Sequence, residues 1–220
     1  MTTLRRPERP GPGGQDVDAG SVVRFDGVER ALHWVNAAMF SVLVLTAIPL
    51  YFGSLAAVVG HRDVVARIHV WTGVFLPVPV LLSVLGPWGR TLRADLRRVN
   101  RWSAGELAWL RSFGRDAFVR LDKLNPGQKL NVSFTGGSIV VMLMTGAVMW
   151  WFGPFPDSWR TGATFVHDVL ATFIVVVIVG HVGMALTHPA SLRSMITGRV
   201  SRRWARRHAP AWADEMAAES

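Results

Sequence analysis

Of the seven histidines in this 220-residue chain, His33, His69, His167 and His181 fall in or beside long stretches with almost no other ionisable group. An ionisable side chain in apolar surroundings is costly, and marks a functional site by default. His167 and His181 stand fourteen residues apart. On a helix, fourteen steps of about 100° fall roughly 40° short of four full turns, so both rings leave nearly the same face, about 21 Å apart along the axis. One helix then offers imidazoles at two depths. A pair of imidazoles from facing helices fills both axial positions of a haem iron and leaves none open for oxygen or substrate, which points to electron transfer. Zinc would gather three or four ligands at one depth, often with carboxylate or thiolate among them. The chain has no Cys, and Asp168, read as interfacial, is the only acid within the four apolar stretches. Without Cys there is no iron–sulfur cluster and no covalently attached c-type haem, which leaves haem held by coordination alone. Any one of these histidines alone reads equally well as an interfacial or hydrogen-bonded ring.

The stretches that carry them run over residues 31–52, 68–88, 130–152 and 164–187. Each is long enough to cross a hydrocarbon core of roughly 30 Å as a helix. None shows the polar face at period 3.6 that a soluble helix needs. The fold class is therefore all-α, an integral membrane four-helix bundle. Lys and Arg collect in loops that stay in the cytoplasm. Of 24 such residues, 21 lie before the first span, between the second and third, or after the fourth; only Arg62, Arg67 and Arg160 lie in the other two loops. Both termini are thus expected in the cytoplasm. His33 and His181 then meet near the cytoplasmic surface, and His69 and His167 near the outer one.

The basic surplus sits at helix ends, where lipid phosphates account for it, so nucleic acid is not the expected partner. Residues 1–27 read as a disordered basic tail, Pro- and Gly-rich at its start and without the apolar core of a signal peptide. Residues 28–188 read as the helical domain and 189–220 as a basic cytoplasmic tail. Gly73, Gly136, Gly137, Gly146, Gly180 and Gly183 give short side chains against which a porphyrin or a neighbouring helix can pack. Pro77 and Pro79 predict a bend in the second span. Trp34, Trp88, Trp150, Trp151 and Trp159 read as interface anchors. His61, His188 and His208 lie at or beyond the surfaces, with His188 the one placed for a proton path.

The segments RFDGVERALHWVNAAMFSVLVLTAIPLYF, ARIHVWTGVF, LNPGQKLN, FVHDVLATFIVVVIVGHVGMALTHP and SLRSMITGRVSRRWARRHAPAW resemble the gamma subunit of membrane-bound formate dehydrogenases. That family is the cytochrome b partner of a molybdenum or tungsten enzyme, and the likeness runs from about Arg24 to Trp212. The b-type cytochromes of nickel–iron hydrogenases share the fold and several ligands. The resemblance implies two haem b groups, one on His69 and His167 and one on His33 and His181. It also implies a quinone, menaquinone or ubiquinone, beside the cytoplasmic haem at the motif N-x-G-Q-K, here Asn125, Gly127, Gln128 and Lys129. Asn125 before Pro126 fits a helix N-cap equally well, and both roles are compatible. The implied partners are an iron–sulfur beta subunit and a catalytic alpha subunit in a bacterial inner membrane. This chain alone would not oxidise formate, having no site for a molybdopterin, a selenocysteine or a cluster. A redox-silent membrane anchor is the competing function, and would show no haem spectrum. A histidine-based cation transporter would need acidic partners at mid-membrane depth, which the sequence lacks.

Overall fold

The computed structural model describes residues 20–114 and 119–218. A short strand, β1 (Ser21–Val23), leads into helix α1 (Gly27–Tyr51). Asp26 caps α1: its carboxylate accepts from the Glu29 N–H at 2.8 Å, and Glu29 accepts in return from the Asp26 N–H at 2.9 Å. This reciprocal box satisfies two of the free donors at a helix start. After α2 (Gly53–Val59) the second span is built in two pieces, α3 (Arg62–Phe75) and α4 (Val78–Leu85). Pro77 has no N–H to give the ladder, so the helix breaks where the prolines predict. The span ends at Leu85, short of residue 88, because Gly86 turns extended before Pro87.

The connection between the second and third spans is not a plain loop. It forms α5 (Arg90–Val99) and α6 (Ala104–Arg111), the latter opened by a Ser103–Glu106 capping box. Then come α7 (Pro126–Trp150) and α8 (Asp157–Thr187), an antiparallel pair. The 31 residues of α8 extend about 46 Å at 1.5 Å each, well beyond a hydrocarbon core of roughly 30 Å. The chain closes with α9 (Pro189–Thr197), β2 (Arg199–Ser201), α10 (Arg202–His208) and α11 (Pro210–Ala218). β2 pairs antiparallel with β1, Val22 opposite Val200.

Four helical stretches, Gly27–Tyr51, Arg62–Leu85, Pro126–Trp150 and Asp157–Thr187, are long and apolar enough to cross a membrane. Their apolar side chains face outward, with Leu45, Val179 and Leu85 from 65% to 81% exposed. Such a surface belongs in lipid. The tight packing lies instead at the end where β1 meets β2, α10 and α11. There Val200, Ala205, Ala209 and Trp212 form a small core covered by Val22 and Trp204. Around it are buried charges. Lys123 Nζ lies 2.5 Å from Asp95 and 3.4 Å from Glu29, and Arg98 pairs with Asp122 at 2.8 Å and Glu215 at 2.6 Å. Arg24 donates to the Lys123 carbonyl at 3.2 Å and lies 4.5 Å over the Trp204 ring. Burial lowers its pKa to about 10, against the opposing pull of Asp95, so it stays charged at neutral pH. The Glu215 hydrogen bond, with Asp122 beside it, holds Arg98 above its ordinary value.

The assignment of the basic surplus to lipid phosphates is therefore corrected for Arg98, Lys123 and Lys129, which are held by carboxylates of this chain. Residues 189–218 keep their basic character but are folded, and residues 21–23 join them. The expected disorder of residues 1–19 lies outside the described residues.

Candidate functional site

Helices α1, α3 and α8 bring the four intramembrane histidines together in two pairs. The rings of His33 on α1 and His181 on α8 are 6.1 Å apart between centroids. Those of His69 on α3 and His167 on α8 are 6.5 Å apart. A metal–imidazole bond of about 2.0–2.1 Å would put two axial nitrogens about 4 Å apart across one ion. The remaining ~2 Å is two radii of a five-membered ring with bonds near 1.3–1.4 Å. Each centroid separation matches the span of two imidazoles with one metal ion between them.

The two pairs lie at two depths. Thr46 on α1 touches His69, and thirteen residues separate it from His33, a rise of about 20 Å. Fourteen residues separate His167 from His181 on α8, about 21 Å. The two helices agree. Among the described residues, no group of three or more His, Cys, Asp or Glu gathers in one place as a metal centre. Two histidines with no third candidate beside them would suit a haem, which brings its own ring nitrogens, better than zinc.

A Cβ added at Gly136, Gly137, Gly180 or Gly183 would meet nothing within 4 Å, and at Gly146 only His167 Cε1 at 3.7 Å. Gly73 is closed by Leu43 at 3.8 Å. These glycines keep the surfaces of α7 and α8 low, and Gly146 does so beside His167.

The third group of expected residues sits at the start of α7. Asn125 Oδ1 accepts from the Gln128 N–H at 2.9 Å, and Gln128 Oε1 accepts from the Asn125 N–H at 3.0 Å. The helix-cap role is in place. Each amide oxygen takes one capping bond, and the two amide NH2 groups remain as donors for a bound carbonyl. A Cβ on Gly127 would come 3.4 Å from Asn125 Oδ1 and 3.9 Å from the Trp109 ring. Lys129 turns away from this edge. It is 2% exposed, paired with Glu106 at 2.6 Å and donating to the Arg101 carbonyl at 2.7 Å.

Gln128 is near the inner histidine pair by register. Thr145 on α7 meets His167 on α8. Fourteen residues along α8 to His181, matched by fourteen back along α7, arrive at Asn131. That is three residues, about 4.5 Å of rise, from Gln128.

His61 is the exposed residue before α3, and His188 ends α8 with Nδ1 2.9 Å from the Met184 carbonyl. His208 stacks on Trp204 at 4.9 Å in the terminal core. None joins a pair. Two residues that sequence reasoning passed over are Thr46 and Thr145, whose Oγ1 atoms lie 2.9 Å from Nδ1 of His69 and His167. A threonine on the neighbouring helix at the depth of a histidine is the signal that points to them.

Comparison with known proteins shows what the chain is similar to. A formate dehydrogenase cytochrome b556 subunit from Haemophilus influenzae is 26% identical over 199 residues, covering 87% of this chain and 82% of its own. The nitrate-inducible formate dehydrogenase cytochrome b556 subunit of Escherichia coli is 26% identical over 207 residues, covering 89% and 91%. A second Escherichia coli formate dehydrogenase cytochrome b556 subunit is 24% identical over 206 residues, covering 89% and 93%. Residues 24–198 match a family profile, a stretch that takes in all four spans and both histidine pairs. This chain belongs to the prokaryotic cytochrome b561 family, whose members are helical membrane bundles carrying haem b.

Proposed function

We propose that this chain is the cytochrome b subunit of a membrane-bound formate dehydrogenase, holding two haem b groups and passing electrons from an iron–sulfur subunit across a bacterial inner membrane to a quinone. The observation that carries the reading is the pair of histidine pairs, 6.1 and 6.5 Å between centroids and about 20 Å apart in depth. The relatives' names supply the donor.

His69 and His167 would hold one haem at the outer depth, and His33 and His181 the other at the cytoplasmic depth. Haem b held by two imidazoles exchanges single electrons and offers no vacant position to oxygen. The rest of the work falls to this chain. Asn125 and Gln128 donate amide hydrogens to a quinone carbonyl, and Gly127 between them keeps that edge low. His181 lies within a turn of the same place. The iron–sulfur and catalytic subunits dock on the outer side, where the first electron arrives, and protons for quinone reduction come from the cytoplasm. Charge crosses the membrane as a result.

A reduced-minus-oxidised spectrum and a haem assay on the purified chain test this. A b-type α-band with two haems per chain is expected, falling to one haem in His167→Ala. An absent α-band would return the chain to the role of a silent anchor, and two haems retained in His167→Ala would reject the pairing.

A further inference from the structure

The two histidine pairs differ in what holds their rings. The Thr46 hydroxyl donates to the Val42 carbonyl at 2.7 Å, and the Thr145 hydroxyl to the Val141 carbonyl at 2.8 Å. A hydroxyl has one proton to give. With it directed at the carbonyl, each Oγ1 can only accept from the histidine 2.9 Å away, so Nδ1 of His69 and of His167 carries the proton. Nε2 keeps its lone pair for the metal. Among the described residues, His33 and His181 have no such acceptor: His33 meets the edge of Trp34 at 5.3 Å and the ring of His181 at 6.1 Å.

A histidine that donates its second N–H to an oxygen is fixed in tautomer and orientation and becomes the more basic ligand. A more electron-donating axial pair favours ferric over ferrous iron. We propose, resting on the haem reading above, that Thr46 and Thr145 are positioning residues that set the iron of His69 and His167 at a lower potential than the iron of His33 and His181. An electron then runs downhill through the bundle. The ferrous iron of the first pair loses one electron and the ferric iron of the second gains it; no bond is made or broken, and no proton moves at either metal.

Thr145 is the better residue to test, because the Leu43 carbonyl is a second acceptor beside His69. The complex, purified with its partner subunits, is titrated potentiometrically on the haem α-band, with haem content measured on the same sample. Thr145→Val should keep two haems and move one midpoint upward while the other stays. Thr145→Ser retains the hydroxyl and should keep both wild-type midpoints. Two haems with both midpoints unmoved in Thr145→Val overturn the proposal. A second variant decides even if Thr145→Val loses its haem. His181→Ala should retain one haem, titrating at the lower of the two wild-type midpoints; a survivor at the higher midpoint overturns the assignment. Loss of both haems, or of neither, in His181→Ala would break the pairing itself, and this inference would fall with it.

Discussion

Asn125 and Gln128 each give an amide oxygen to the other's backbone, and this decides how their role with a quinone can be isolated. Replacing Gln128 by Leu would remove a capping bond and a quinone donor together. Asn125→Asp separates them. The aspartate keeps the oxygen that caps α7, and its charge is favourable at a helix N-terminus. It loses the NH2. If that group donates to a quinone carbonyl, the site should lose about 1–3 kcal/mol, roughly 5- to 150-fold in affinity, with haem content and thermal stability unchanged. Quinone reduction and haem reduction by the donor, followed on one preparation, read this directly. Normal quinone turnover would remove Asn125 from the site. The sequence offered both roles for Asn125 and could not choose, because a cap and a ligand draw on the same short polar side chains. The cap takes the oxygen of each amide, and the proposed quinone bond would take the nitrogen. The histidines were easier to read, since an imidazole in an apolar run has few structural uses.

At the level of elements, the start of α7 is held by a buried ion pair rather than by lipid. Lys129 and Glu106 meet at 2.6 Å with side chains 2% and 7% exposed. Breaking such a pair leaves one charge buried without a partner, a cost of about 3–5 kcal/mol. Lys129→Met should therefore lower the melting temperature of the purified complex markedly. The double variant Lys129→Met/Glu106→Gln should recover most of the loss, because no bare charge remains. Equal melting of the two variants would show that Lys129 matters for something other than Glu106. The four spans were legible as apolar runs, and the break in the second followed from Pro77. The apolar stretch 31–52 begins four residues inside α1, because the capping residues Asp26 and Glu29 are polar, whereas the N-cap reading of Asn125 matches the start of α7 at Pro126. The β1–β2 pair was invisible: three-residue strands have no periodicity to detect, and Ser21 and Arg199 are 178 residues apart. The helices α5 and α6 were hidden by their charges, which the positive-inside pattern already explained.

For the molecule as a whole, everything assigned to a compartment depends on orientation, and orientation depends on where cations fall. The packed end contains β1, α5, α6 and α9 to α11, and it carries the basic clusters. The opposite end has Arg62, Arg67 and Arg160; there Arg67 pairs with Asp63 at 2.8 Å and Arg160 with Asp157 at 3.2 Å. Ion pairing at the packed end, such as Arg98 with Glu215 or Lys123 with Asp95, does not weaken the bias. The rule counts Lys and Arg in short loops beside the spans, and acidic residues contribute little to it. With 21 of 24 cations on one side, a reporter fused after Ser220 should be active only in the cytoplasm, and one inserted beside Asp157 only outside. That outcome would place His33, His181, Asn125 and Gln128 at the proton-supplying face of the proposed mechanism, and His69 and His167 at the face where a partner would deliver electrons. The opposite labelling would exchange the two histidine pairs between compartments while leaving their spacing intact. Electrons would then enter at the pair beside Gln128, and the quinone would have to be sought at the other end of α8.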